Sequence, residues 1–168
     1  ATQVAAFATD QIANLSTSNT QALTSAQIKA LTTAQLDAMS TAQIAVLDTA
    51  DVASLSATQL KSLSTASIVA LTTDQITSLS ATQIAALGTG QVAAIETADL
   101  AKLTTAQIGA LTAAQIKSLT TAQIAALSST QVQSLKATQV SALATDQIAK
   151  LGTANTQALT STQVKALT

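Results

Sequence analysis

A leucine falls on every eighth residue of this chain. The column begins at Leu15 and runs to Leu167, with Phe7, Met39 and Ile95 filling the same register. A second apolar column lies five residues after the first and is usually preceded by Gln; it includes Ile12, Ile28, Leu36, Ile44 and, at its end, Val164. The consensus is Leu-[Ser/Thr]-Thr-Ala-Gln-Ile-Ala-Ala, and the 168 residues divide into 21 such octads without an insertion. So short an internal repeat decides the fold class before any other property is weighed.

One continuous helix is excluded. Eight residues of ideal α-helix turn about 800°, so an apolar stripe spaced alternately by five and three drifts about 80° per octad. A β-solenoid, with one strand and turn per octad, is the minority alternative. Against it stand the Ala and Gln content, the absence of Pro and the presence of only four Gly for 21 octads. These leave strands without good formers and turns without their usual residues.

Each octad does carry a helix start. In Leu31-Thr32-Thr33-Ala34-Gln35-Leu36, Thr-x-x-Gln is a capping box: the Thr hydroxyl accepts from the amide three residues on, and Gln reaches back to the cap. The signature recurs at Thr24 with Gln27, Ser40 with Gln43, Ser56 with Gln59, Thr72 with Gln75 and Ser80 with Gln83. It continues at Thr104 with Gln107, Thr112 with Gln115, Thr120 with Gln123, Ser128 with Gln131 and Thr160 with Gln163. Leu31 and Leu36 hold the flanking positions of a hydrophobic staple.

A helix of about five or six residues, bent at the next Leu-Ser/Thr, falls well below the ~12–15 needed to persist alone in water. It requires stacking. The expected fold is an all-α solenoid of short capped helices, one per octapeptide repeat, each held by its neighbours around a Leu/Ile seam. Small Ala and Ser at the last two octad positions let the helices approach closely. Two octads per layer give a rod of roughly 80–100 Å, and three shorten it by about a third; the sequence leaves both open.

Composition narrows the function. The chain has no Arg, Cys, His, Pro, Trp or Tyr, and its seven Lys and eight acids are scattered singly for a net charge of −1. Clustered cations that neutralise phosphates are missing, so no nucleic-acid partner is expected. Without Cys there is neither a disulfide framework nor a thiolate metal site, and without His or Cys no Ser-His-Asp or Cys-His arrangement. Apolar runs such as VAAFA at 4–8 are far shorter than the ~20 residues of a bilayer span, so no transmembrane segment is expected. The chain starts at Ala1 with no charged n-region and apolar h-region, which reads as a processed product or an excised piece.

No enzyme activity and no catalytic, cofactor-binding or metal residues are expected. The nearest carboxylates, Asp48 with Asp51 and Glu96 with Asp99, occupy cap and third helical positions, where acids favour a helix N-terminus. Gly88-Thr89-Gly90 lacks the glycine spacing and the Lys of a phosphate loop and reads as a loosened cap. The third octad position holds Thr33, Thr41, Thr49, Thr65, Thr73, Thr89, Thr97, Thr105 and Thr121. Such an array of hydroxyl and methyl groups is the alternative function, a binding module for ice or a repetitive polymer, although Ala57, Ala81, Ala113 and Ala137 interrupt it.

The hexapeptide NTQALT departs from the consensus and occurs twice, at 19–24 and 155–160. Around it, residues 1–32 match residues 137–168 at 25 of 32 positions, an offset of 136 residues or 17 octads. The chain therefore reads as one octad solenoid over 1–168, in which 1–136 is one higher-order repeat and 137–168 begins the next copy. A much longer parent protein is expected. Because 17 is divisible by neither two nor three, successive copies present the Asn-Thr octad on different sides.

Two resemblances add to this. Gly90-Gln91-Val92-Ala93-Ala94-Ile95 resembles the first helix of a transcription-activator-like effector repeat; the 34-residue period, base-reading loop and basic charge of that family are absent, so its DNA recognition is not implied. The whole chain is similar to the degenerate octapeptide arrays, runs of LTTAQIAAL-like sequence, of very large bacterial surface or secreted proteins. That resemblance implies an exported stalk, spacer or filament-like segment, extracellular or on the cell surface, flanked by further repeats of the same chain. It transfers no functional residues. The open ends of such a solenoid expose seam residues, so end-to-end self-association is also expected.

Overall fold

In the computed structural model, which describes residues 2–167, the expected short helices are present, 21 of them, and no strand occurs among the described residues. The eleven sequence-derived capping boxes all form. In each, the Ser or Thr hydroxyl accepts from the Gln amide at 3.1–3.4 Å. The Gln Oε1 accepts from the cap amide at 2.7–2.9 Å.

The bends need no turn glycine. Ser56, an N-cap, has φ −70° and ψ 159°, and Leu63, the C-cap that ends the same octad's helix, has φ −63° and ψ 139°. Both are ordinary extended values for an L-residue. Two extended residues between helices turn the chain into the next octad, which is why four Gly suffice for 21 octads.

By contact density the chain forms two units, Ala1–Leu87 and Gly88–Thr168. In each, every helix packs on the helix three octads earlier, so a layer contains three octads. In the first unit, with helices numbered in chain order, one column stacks α1 (Thr2–Ala5), α4 (Ser25–Ala30), α7 (Thr49–Ser54) and α10 (Thr73–Ser78). The second stacks α2 (Thr9–Ala13), α5 (Thr33–Asp37), α8 (Ala57–Ser62) and α11 (Ala81–Ala86), and the third α3 (Thr17–Gln21), α6 (Thr41–Ala45) and α9 (Thr65–Val69).

The second unit repeats the arrangement. Its columns are α12 (Thr89–Ala94), α15 (Ala113–Ser118), α18 (Ala137–Val140) and α21 (Ser161–Lys165); α13 (Thr97–Lys102), α16 (Thr121–Ala126) and α19 (Thr145–Ala149); and α14 (Thr105–Ala110), α17 (Ser129–Gln133) and α20 (Gly152–Ala158).

The seam is the two apolar columns. Ile12, Ile28, Leu36, Ile44, Ile108 and Ile124 are completely buried, and the leucine column from Leu31 to Leu151 is nearly so. Phe7 is an exception to its register: it is 41% exposed, because among the described residues no layer precedes its own. Small residues do permit close approach. A Cβ added to Gly109 would lie 3.2 Å from the carbonyl of Ser134, on the helix packed against it.

Candidate functional site

The group that organises every layer is the glutamine at the fifth octad position. With its oxygen fixed on the cap amide, its Nε2 points to the layer before. Gln43 donates to the carbonyls of Ile12 at 2.8 Å and Leu15 at 2.9 Å. Gln35 does the same to Val4 and Phe7, Gln59 to Lys29 and Leu31, Gln75 to Ile44 and Leu47, and Gln83 to Ala53 and Leu55.

The second unit repeats this with Gln123, Gln131, Gln139, Gln147 and Gln163, whose bonds to the leucine-register carbonyl 28 residues earlier measure 2.6–2.8 Å. The acceptors lie at the end of a short helix, where carbonyls run out of i→i+4 partners; Ile12 and Ile44 accept the backbone amide three residues on in addition to the glutamine. One side chain thus satisfies a donor at the start of its own helix and acceptors at the end of another. Among the described residues no buried side-chain nitrogen or oxygen lacks a partner.

The sequence reading assigned Gln only its capping half. The missed signal was the choice of amide over acid. A capping box accepts Glu as readily as Gln, yet of the 21 octads none has Glu there, two have the shorter acid (Asp51 and Asp99) and 16 have Gln. A carboxylate has no proton to donate and is costly to bury.

Where the cap hydroxyl is missing, the Gln half persists: Gln11 holds Ala8, Gln139 holds Lys136 and Gln147 holds Ala144. Gly88 likewise sits at an N-cap with φ −69° and ψ 157°, its amide held by Gln91 at 2.8 Å. The Gly88-Thr89-Gly90 stretch is therefore a cap that has lost its hydroxyl.

The two carboxylate pairs also fall at N-cap and third positions, Asp48 with Asp51 in α7 and Glu96 with Asp99 in α13. Neither Asp48 nor Glu96 accepts a cap bond through its side chain. In α7 the bond runs the other way, from the Asp48 amide to Asp51 at 3.3 Å. Asp51 is buried, and its other oxygen accepts the Ser25 hydroxyl at 2.6 Å. No three His, Cys, Asp or Glu side chains gather among the described residues, and no helix there is long and apolar enough to cross a membrane.

The two Asn-Thr octads differ in structure. In α3, Ser16 caps Asn19, and Thr20 is completely buried in the apolar column with its hydroxyl turned back to the Ser16 carbonyl at 2.9 Å. In α20 the residue matching Ser16 is Gly152, at φ +75°, where glycine avoids the Cβ clash of the left-handed region. Asn155 is buried and donates to Leu127, 28 residues earlier, at 2.7 Å, while accepting from Ser129 at 3.0 Å. It takes the glutamine's inter-layer role with a side chain one methylene shorter.

Three octads per layer also sort the hydroxyl array. In the first unit the interruptions Ala57 and Ala81 both begin helices of the α2 column, whereas the α3 column carries Thr17, Thr41 and Thr65 and the α4 column Ser25, Thr49 and Thr73. In the second, Ala113 and Ala137 both fall in the α12 column. The octads of the α3–α6–α9 column, and those of the α14–α17–α20 column, contain no charged residue.

A family model described as the ALTTAQ repeat matches residues 20–49, 44–81, 92–129 and 124–153, about three quarters of the chain. No curated protein and no solved structure matches it significantly.

Proposed function

Because the chain belongs to the ALTTAQ repeat family and is a structural repeat protein, we propose that it serves as an elongated spacer, a stalk or filament segment of a longer bacterial surface or secreted protein. Its role is structural and not enzymatic. The observation that carries this reading is the inter-layer glutamine bond, which recurs at fixed 28-residue reach in both units. A layer that depends only on its neighbours can be added or removed without altering the rest, which suits a length-setting element. The matching stretches 1–32 and 137–168 support a parent with copies of a 136-residue unit.

Small-angle scattering on chains lengthened by three, six and nine octads tests the spacer. The maximum dimension should grow by about 8–10 Å for every three octads; growth as the cube root of mass would exclude it. Antibodies to the chain should label intact cells of the source organism, and labelling only after permeabilisation would exclude surface display.

One observation favours a second reading, a binding face for ice or an uncharged repetitive polymer: the Ala interruptions collect in single columns and leave others hydroxyl-bearing throughout. Thermal hysteresis that is lost on Thr41→Lys would support it. Absence of hysteresis and of retention on ice or polysaccharide would remove it.

A further inference from the structure

Within the first unit, α7, α8 and α9 rest on α4, α5 and α6, and the three inter-layer positions at this boundary are Asp51, Gln59 and Ser67. Only the middle one is a glutamine. Gln59 donates to the carbonyls of Lys29 and Leu31 at 3.1 and 2.8 Å. Asp51 has no proton to give to a carbonyl, but its carboxylate accepts the Ser25 hydroxyl at 2.6 Å, and the Ser54 hydroxyl reaches the Ser25 carbonyl at 3.4 Å. So α7 is still tied to α4. Ser67 is buried, and its hydroxyl is hydrogen-bonded to that of Ser64 at 2.9 Å, inside its own octad. The Met39 carbonyl, 28 residues before Ser67, receives no side-chain donor among the described residues.

Consequently α9 makes no hydrogen bond to another octad of the first unit. It is held there by Ile68 and Leu71, both buried, through apolar contacts that have no preferred direction. The neighbouring boundaries differ. Gln35 and Gln43 are bonded to the layer before theirs, and so are Gln75 and Gln83. In the second unit the six positions from Gln123 to Gln163, Asn155 included, each donate to the carbonyl 28 residues earlier.

We propose that the boundary between α4–α6 and α7–α9 is a hinge built into the first unit. The two layers pivot about the edge that Gln59 fixes and open on the α6–α9 side, where no directional bond resists them. Packed helices move in this way by small shifts about a retained contact. In a spacer the hinge sets a bend at one place and toward one side. That consequence rests on the spacer reading, whereas the hinge itself does not.

The test compares distance distributions between spin labels on the full-length chain, read from dipolar line shapes in frozen solution. One pair, Thr41→Cys with Thr65→Cys, spans the boundary on the α6–α9 side; the other, Thr33→Cys with Ala57→Cys, spans it on the α5–α8 side beside Gln59. All four positions are exposed. The α6–α9 pair should give the broader distribution. Adding Ser67→Gln, which supplies a donor for Met39, should narrow it to the width of the α5–α8 pair, and adding Ser67→Ala should leave it broad. The converse variant, Gln59→Ser, should broaden the α5–α8 pair. Equal widths for the two pairs would overturn the hinge. So would a broad distribution in a Ser67→Gln chain of unchanged circular dichroism, or no broadening with Gln59→Ser. The scattering series tests the spacer separately, so failure of the spacer and failure of the hinge are told apart.

Discussion

Gln43 stands 2.9 Å from the carbonyl of Leu15, 28 residues earlier, while its other terminal atom holds the amide of Ser40 at 2.7 Å. Replacing Gln43 with Glu retains the second bond and abolishes the first. The buried carboxylate then faces carbonyl oxygens, at a cost of about 2–3 kcal/mol. Ser40→Ala removes only the cap hydroxyl and costs about 1 kcal/mol. Urea unfolding followed by far-ultraviolet circular dichroism checks the order, with Gln11→Glu, which makes no inter-layer bond among the described residues, as the near-neutral control. Equal losses for Gln43→Glu and Gln11→Glu would refute the inter-layer role.

Asp51 occupies a glutamine position with a side chain that only accepts. Asn155 shows what an amide of the same length does there: it keeps the hydroxyl bond from Ser129 and donates to Leu127. Ser25 and Leu23 stand at the same offsets from Asp51. Asp51→Asn exchanges the long bond from the Asp48 amide, 3.3 Å, for a donation to Leu23 and removes a buried carboxylate, so it should stabilise the first unit by about 1 kcal/mol, read as a raised thermal midpoint; a lowered midpoint contradicts the assignment.

Caps that have lost their hydroxyl offer a graded series. Ala is a poor N-cap and Gly nearly as good as Ser, so Ala144→Ser should gain about 1 kcal/mol and Gly88→Ser only a few tenths. Both positions already have extended cap backbone. Hydrogen exchange of the Gln147 and Gln91 amides measures each local gain, and a larger gain at Gly88 would contradict the capping account.

The helices and their starts were legible in the sequence because Ser or Thr, Gln and the flanking apolar pair recur in one phase. The number of octads per layer was not, for a physical reason: all octads are nearly alike, so stacking every second or every third brings the same side chains together. Backbone geometry at the Leu-Ser/Thr bend decides between them. The second role of Gln43 and its equivalents was readable from the absence of Glu at that position. The contrast between Thr20 and Thr156 was not, because their octads differ only by Ser16 against Gly152 and Ser18 against Ala154, and Thr20 is in addition packed under α6.

The apolar column sets the cost of disrupting the seam. Ile44 is completely buried between layers, and Ile44→Ala should destabilise by about 2–5 kcal/mol. Val164→Ala, at a bare position, should cost less than about 1 kcal/mol. Denaturant midpoints distinguish them, and comparable losses would contradict the burial pattern.

The three-octad layer is tested most directly by spin labels on exposed residues of the first unit. With Cys at positions 41 and 65, in place of Thr41 and Thr65 on the stacked α6 and α9, the labels lie one layer apart, at a helix spacing of about 8–10 Å. With Cys in place of Thr49 and Thr65, 16 residues apart, they lie on different columns. Strong dipolar broadening for the 24-residue pair and weaker coupling for the 16-residue pair is the predicted result. The reverse order would mean two octads per layer and would contradict the fold and the glutamine bonds together.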